Sequence, residues 1–204
     1  MSRRGLWDVD TQVDFVHANG KLAVPGAEAA VPAMARVVEW ARTNGIPHVA
    51  SADDHELTDE EISAEPDYAS TYPPHCLRGT RGAQKIDETA QDDPVPLGLV
   101  PVPGTWLERH REFLLLKKHF DVFTNPNADR VLELLDPDEV LLFGVASDVC
   151  NDAAIRGLRA RGREVTVVGD ACRGLDDART AACTAAWRDA GVRFSSSTEL
   201  PMGT

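Results

Sequence analysis

The sequence predicts an α/β protein: a three-layer α/β/α arrangement around a mostly parallel sheet of about six strands. Three observations predict it. Short apolar runs alternate with amphipathic stretches of helical period along most of the chain, as right-handed β–α–β crossovers require. Turn residues such as Pro25-Gly26, Gly45, Asp136-Pro137 and Gly162 fall between these stretches. The chain has 204 residues, 43% of them hydrophobic, which suits one domain over residues 1–204 with a full core.

Residues 5–10 read as the first strand, running into a polar loop. The helix after Pro25-Gly26 places Val31, Met34, Val38 and Ala41 on one face and stops at Gly45. Residues 46–52 and 113–117 read as strands, and 128–135 as a helix closed by Asp136-Pro137. The run Val140, Leu141, Leu142, Phe143, Val145 is a buried strand. The helix behind it puts Cys150, Ala154 and Leu158 on one face, with Ser147 or Asp148 as its cap. A strand at 164–168, a helix at 177–190 and a last strand around 192–194 complete the alternation. Two long loops interrupt it. Residues 53–85 are rich in charge, Pro, His and Tyr, and residues 92–104 are so dense in proline that neither sheet nor helix is expected. Loops of this length in a compact domain are usually functional or lid-like.

Lys and Arg number 21 against 33 Asp and Glu, a net charge of −12. This argues against nucleic acid or an anionic membrane as partner. No apolar run approaches membrane-spanning length, and Ser2-Arg3-Arg4 leads to Asp8 and Asp10 without an apolar core segment, so a cytoplasmic protein is expected. The four cysteines (76, 150, 172 and 183) are scattered and read as reduced thiols.

In a parallel sheet, ligands bind at the carboxyl ends of the strands. Asp10, Asp53, Lys117 and Cys150 each fall at or just past such an end, so they are expected on one edge. Cys150 opens a helix, where free N–H groups and the helix dipole favour a thiolate and can cradle an oxyanion. The bland alternative is a small buried hydrophobe. Asp10 can take the thiol proton, although a lone Asp there is more often a turn or cap residue, a part that suits Asp14 better. Lys117 can hold a carboxylate and a thiolate ionised together, or be an ordinary surface lysine. Lys118 points to the opposite face, and His119 is a competing base. Asp53, His55, Glu61 and His75 form a candidate metal site for zinc, manganese or iron, with Asp54 and Cys76 as substitutes. A solvated acidic loop is the competing reading.

Together these segments resemble the isochorismatase-like cysteine hydrolases, most of all a nicotinamidase. The resemblance is carried by Asp10-Thr-Gln-Val-Asp-Phe15, Asp53-Asp-His55, Pro66-Asp-Tyr-Ala-Ser-Thr-Tyr-Pro-Pro-His-Cys76, Lys117 with Phe123, Gly144-Val-Ala-Ser-Asp-Val-Cys150 and Gly169-Asp-Ala-Cys172. It implies a triad of Asp10, Lys117 and Cys150 and a non-proline cis peptide between Val145 and Ala146. The Ala146 and Cys150 N–H groups would face an oxyanion. It implies metal ligands Asp53, His55 and His75, with Glu61 where many nicotinamidases place a further histidine. Phe15 and Tyr72 would be aromatic walls, Tyr72 standing where tryptophan is common, and Ser147 and Asn151 replace the usual threonine and valine. The residues at 92–104 look like extra length, a lid or a subunit contact.

The implied activity is hydrolysis of nicotinamide to nicotinate and ammonia through a cysteine thioester. A divalent metal, zinc first, would hold the pyridine nitrogen, and no organic cofactor is expected. The expected partners are a small amide substrate and further copies of the chain in a homo-oligomer, with neither nucleic acid nor membrane. The alternatives are another amidohydrolase acting on a carbamoyl or ureido compound, an isochorismatase, and a non-catalytic binding protein of the same fold.

Overall fold

The computed structural model describes residues 3–200; the outermost residues of the expected 1–204 domain lie outside that range. Seven parallel strands form one sheet in the order β3-β4-β2-β1-β5-β6-β7. They are β1 (Arg4–Val9), β2 (His48–Asp53), β3 (Val95–Leu97), β4 (Glu112–Lys117), β5 (Glu139–Val145), β6 (Glu164–Arg173) and β7 (Arg193–Ser195). The helices are α1 (Val13–Val16), α2 (Ala27–Thr43), α3 (Gly104–Leu107), α4 (Ala128–Leu135), α5 (Cys150–Ala160) and α6 (Asp177–Asp189). None is long and apolar enough to cross a membrane.

β1, β2 and β5 are buried on nearly every residue, as central strands covered on both faces must be. α2 supplies Ala30, Met34, Val37, Val38 and Ala41 to the core; Met34, Val38 and Ala41 are as read from the sequence, whereas Val31 is only partly buried. Leu141, Leu142 and Phe143 of β5 are no more than 2% exposed.

Two features depart from expectation. The proline-rich segment was expected to hold no strand, yet Val95–Leu97 pairs with Phe113 to Leu115 of β4 as a seventh, edge strand. Pro96 is tolerated there because an edge strand leaves one side without a ladder partner, and Pro96 is exposed while its neighbours are buried. β6 runs to Arg173, five residues beyond the expected end, because its register to β5 shifts between Leu142 and Gly144 and pairing resumes at Cys172 and Arg173. Gly144 marks that irregularity: its φ is +125°, and a Cβ there would lie 2.1 Å from the Val9 carbonyl oxygen, so β1 and β5 approach this closely only over a glycine.

Beside β1 lies a buried polar knot. Asp8 accepts from Thr11 Oγ1 at 2.8 Å and from Lys85 Nζ at 2.5 Å, and lies 3.4 Å from His48 Nε2. Lys85 also donates to Thr11 Oγ1 at 2.6 Å. Burial pushes the Asp8 carboxyl up, but Lys85 and His48 outweigh it and hold it below the usual carboxylate range. The knot ties the end of the long loop to β1, the strand that leads into Asp10.

Candidate active site

Four neighbouring strands each deliver one group to the carboxyl edge. Asp10 follows β1, Asp53 ends β2, Lys117 ends β4 and Cys150 follows β5. Asp10 is fully buried, and Lys117, Asp53 and Cys150 are 1%, 4% and 6% exposed. Lys117 Nζ lies 2.9 Å from Asp10 Oδ2 and 3.7 Å from Cys150 Sγ, and it also donates to Asp53 Oδ1. Ser51 Oγ donates to Asp10 Oδ1 at 2.6 Å. Asp10 Oδ2 has the ammonium beside it but no aligned hydrogen bond, so a lone pair is left for another donor. Asp10 has a positive φ of 52°, a conformation that Asp tolerates better than most residues.

The electrostatics correct one expectation. The helix N-terminus was expected to hold Cys150 as a thiolate, yet the thiol is pushed well above its ordinary value by burial, and Asp10 and Asp53 add to this against the pull of Lys117. Desolvation and two carboxylates outweigh a dipole effect of about 1 kcal/mol. Asp10 is raised by its burial and by Asp53, against the opposing pull of Lys117. Lys117 stays protonated far above its ordinary value, because Asp10 and Asp53 overcome the cost of its burial. The thiol of Cys150 and the ammonium of Lys117 are therefore both favoured in their protonated forms beside Asp10.

The cap differs too. Cys150 is the first residue of α5, and Val149 stands at the cap position without a side-chain bond. Ser147 makes no cap, and the Asp148 carboxylate is turned away, accepting from the Leu175 and Asp176 N–H groups at 2.8 and 3.1 Å. The Val145–Ala146 peptide is cis. The Ala146 carbonyl accepts from Val149 and Asn151 N–H, whereas the Ala146 and Cys150 N–H groups make no backbone hydrogen bond among the described residues.

Asp53, His55 and His75 offer ligand atoms within 4.8 Å of one another, all buried. Asp53 Oδ2 lies 3.6 Å from His55 Nε2 and 3.5 Å from His75 Nε2. His55 Nδ1 is 3.2 Å from Asp59 Oδ2 and His75 Nδ1 is 2.7 Å from the Pro73 carbonyl. An outer oxygen on Nδ1 leaves Nε2 as the lone-pair donor, which is how ligating histidines are held. His55 Nε2 is buried without a hydrogen-bond partner. A divalent cation fits this donor set.

Glu61 lies outside the set: it accepts from the Phe120 N–H at 3.0 Å and stands 3.5 Å from the half-exposed His119. The two substitutes are also engaged elsewhere. Asp54 pairs with Arg78, and the Cys76 thiol faces the Gly82 carbonyl at 3.8 Å. His119, the competing base, has Glu61 as its ion-pair partner. Phe15 and Tyr72 both line the small cavity over Cys150.

Residues 8–97 and 103–199 match the Isochorismatase domain family. The chain belongs to the isochorismatase family. It is 30% identical over 197 residues to a nicotinamidase/pyrazinamidase of Mycobacterium tuberculosis, a match covering 94% of this chain and 97% of that one. An N-carbamoylsarcosine amidase from Thermoplasma acidophilum has the same fold, with a TM-score of 0.76, 25% identity and coverage of 97% and 98% of the two chains. So does a Pyrococcus horikoshii pyrazinamidase in complex with zinc, with a TM-score of 0.74, 20% identity and coverage of 95% and 99%. These relatives support an amidohydrolase.

Within this isochorismatase-family chain, the gap between matched stretches falls in the proline-rich segment. Three supporting residues escaped the sequence reading. Gln12 is fully buried and brackets Asp53, donating to its carbonyl and accepting its N–H, both at 2.8 Å. Ser51 orients Asp10, and Asp59 orients His55 while accepting from Lys118 at 2.6 Å. The available signal for Gln12 was its place in the sequence between Asp10 and Asp14, just past the end of the first strand. Asp14 is structural but neither cap nor turn: it lies within α1 and ties two loops to it, accepting from Cys76 N–H at 2.8 Å and Lys21 N–H at 3.1 Å.

Proposed function

We propose that the chain hydrolyses a small, uncharged aromatic carboxamide, nicotinamide before others, through a Cys150 thioester. One observation carries the reading. Cys150, the member of the Cys150–Asp10–Lys117 cluster that reaches a cavity, lines one whose other walls are aromatic and apolar apart from Asp53 and His75, with no arginine or lysine.

Asp10 takes the thiol proton as Cys150 Sγ attacks the carbonyl carbon, forming the C–S bond. The negative oxygen is met by the Ala146 and Cys150 N–H groups. Asp10 returns the proton to the leaving nitrogen, the C–N bond breaks, and ammonia departs. Water then attacks the thioester carbon and gives a proton to Asp10; the C–S bond breaks as Asp10 returns that proton to Cys150 Sγ, and the carboxylic acid leaves to ionise in solvent. Lys117 keeps its proton throughout and offsets the charge that moves between Asp10 and Cys150. Asp53, His55 and His75 would hold a divalent ion, which when bound would supply a Lewis-acidic site able to orient a ring nitrogen of the substrate.

A carbamoyl substrate is the second reading, favoured by the likeness to the N-carbamoylsarcosine amidase. Such compounds carry a carboxylate that a buried site must pair with a cation, and Lys117 is already engaged by Asp10 and Asp53. The deciding experiment measures ammonia release from nicotinamide, pyrazinamide, carbamoylsarcosine and ureidoacrylate before and after chelator treatment. Turnover of the two aromatic amides, lost on chelation and restored by zinc or manganese, is expected. Strong turnover of a carbamoyl or ureido acid that ignores chelation overturns the reading.

A further inference from the structure

The free volume over Cys150 is about 20 Å³, room for about one water. A pyridine carboxamide needs several times that, so this conformation is closed. Tyr72, Phe120 and Val149 line this cavity, and they also line an open groove of about 610 Å³. These three side chains therefore separate the cavity over Cys150 from that groove. Tyr72 is 3% exposed and meets Phe120 edge-on, with ring centroids 5.7 Å apart.

What holds the partition is polar. The Tyr72 hydroxyl donates to the Tyr68 carbonyl at 3.4 Å, and Arg179 Nη1 donates to the same oxygen at 3.3 Å. Arg179 Nε lies 3.1 Å from Asp148 Oδ2. Asp148, two residues before Cys150, has a side chain with no exposure, which makes it a firm anchor. Arg179 sits in the first turn of α6 and is about half exposed. One surface side chain thus joins the long loop, the nucleophile turn and α6. A guanidinium can make both bonds at once because its donors form a rigid fork.

We propose that Arg179 is the latch of a gate: it holds Tyr72 closed over Cys150, and substrate passes from the groove when the latch releases. Arg179 is a positioning residue that touches neither substrate nor Cys150. The proposal rests on the amide-hydrolase reading for its substrate, and its main test does not.

The test compares wild type, Arg179→Met and Arg179→Lys as full-length protein. The rate of Cys150 alkylation is followed by peptide mass spectrometry with iodoacetamide and with the bulkier N-phenylmaleimide. Arg179→Met is expected to raise the rate about tenfold, as the loss of a charge-assisted bond implies, and to raise it more for the bulkier reagent. Arg179→Lys keeps the Asp148 pair without the second bond and falls between the two. With nicotinamide, KM rises severalfold while kcat stays within about twofold. Equal alkylation rates in wild type and Arg179→Met overturn the gate, as does slower labelling in the variant. If no amide in the panel is turned over, the substrate reading fails and the alkylation result still decides the gate.

Discussion

At the scale of single residues, Asp10 has two separable effects on Cys150. Its carboxylate raises the thiol's proton affinity, and in the proposed reaction it also carries the proton to the leaving group. Asp10→Asn removes both. Turnover of nicotinamide is expected to fall by about 10²–10⁴. Alkylation of Cys150 near pH 7 is expected to accelerate, because Lys117 then acts on the thiol with one carboxylate fewer against it. Measuring both rates on one preparation checks this, and parallel losses would show that Asp10 serves only to hold the fold. Cys150→Ala is the companion variant: at least a thousandfold loss of ammonia release is expected, on the order seen when a nucleophile is removed, with an unchanged circular dichroism spectrum.

At the scale of elements, the β5–α5 junction depends on Gly144. Its φ of +125° and the 2.1 Å approach of a built Cβ to the Val9 carbonyl leave no room for a side chain. Gly144→Ala is expected to cost more than about 2 kcal/mol in urea unfolding and to lower kcat, because the shift moves Ala146 and Cys150 relative to Asp10. Most elements were legible in the sequence, since apolar period marks buried faces: α4 starts and stops where Ala128 and Asp136-Pro137 suggest. The edge strand β3 was hidden because Pro96 argues against a strand, and the permissive edge position is set by tertiary structure alone. The strand-end residues of the site could be read from the parallel-sheet rule. Asp59, Ser51 and Arg179 could not, because a polar residue in a loop, a strand or the first turn of a helix reads the same in the sequence whether it faces water or a partner in the site. The capping roles expected of Ser147 and Asp148 failed for a related reason: Asp148 has partners near residue 175, and no local pattern reveals a bond across such a distance in the chain.

At the scale of the whole molecule, the Asp8–Lys85 pair links acid stability to the site. The carboxyl's folded value is depressed, so its contribution is full above the unfolded value, about 3.9, and is lost as pH falls through the folded value. Asp8→Asn is expected to cost about 3–5 kcal/mol at pH 7, as for a broken buried pair. The difference from wild type should shrink below pH 4, and urea unfolding between pH 2 and 7 checks this. A difference that holds constant with pH would show that Asp8 is not the titrating group. The sheet order has a kinetic consequence as well. Asp10, Asp53, Lys117 and Cys150 come from β1, β2, β4 and β5, four adjacent strands whose pairing requires long crossovers. Such non-local pairings form late in folding. Until the last of them closes, the chain has no fixed ammonium, no buried carboxylate beside the thiol and no partition over it. Regain of ammonia release after dilution from denaturant should therefore lag behind regain of helical signal.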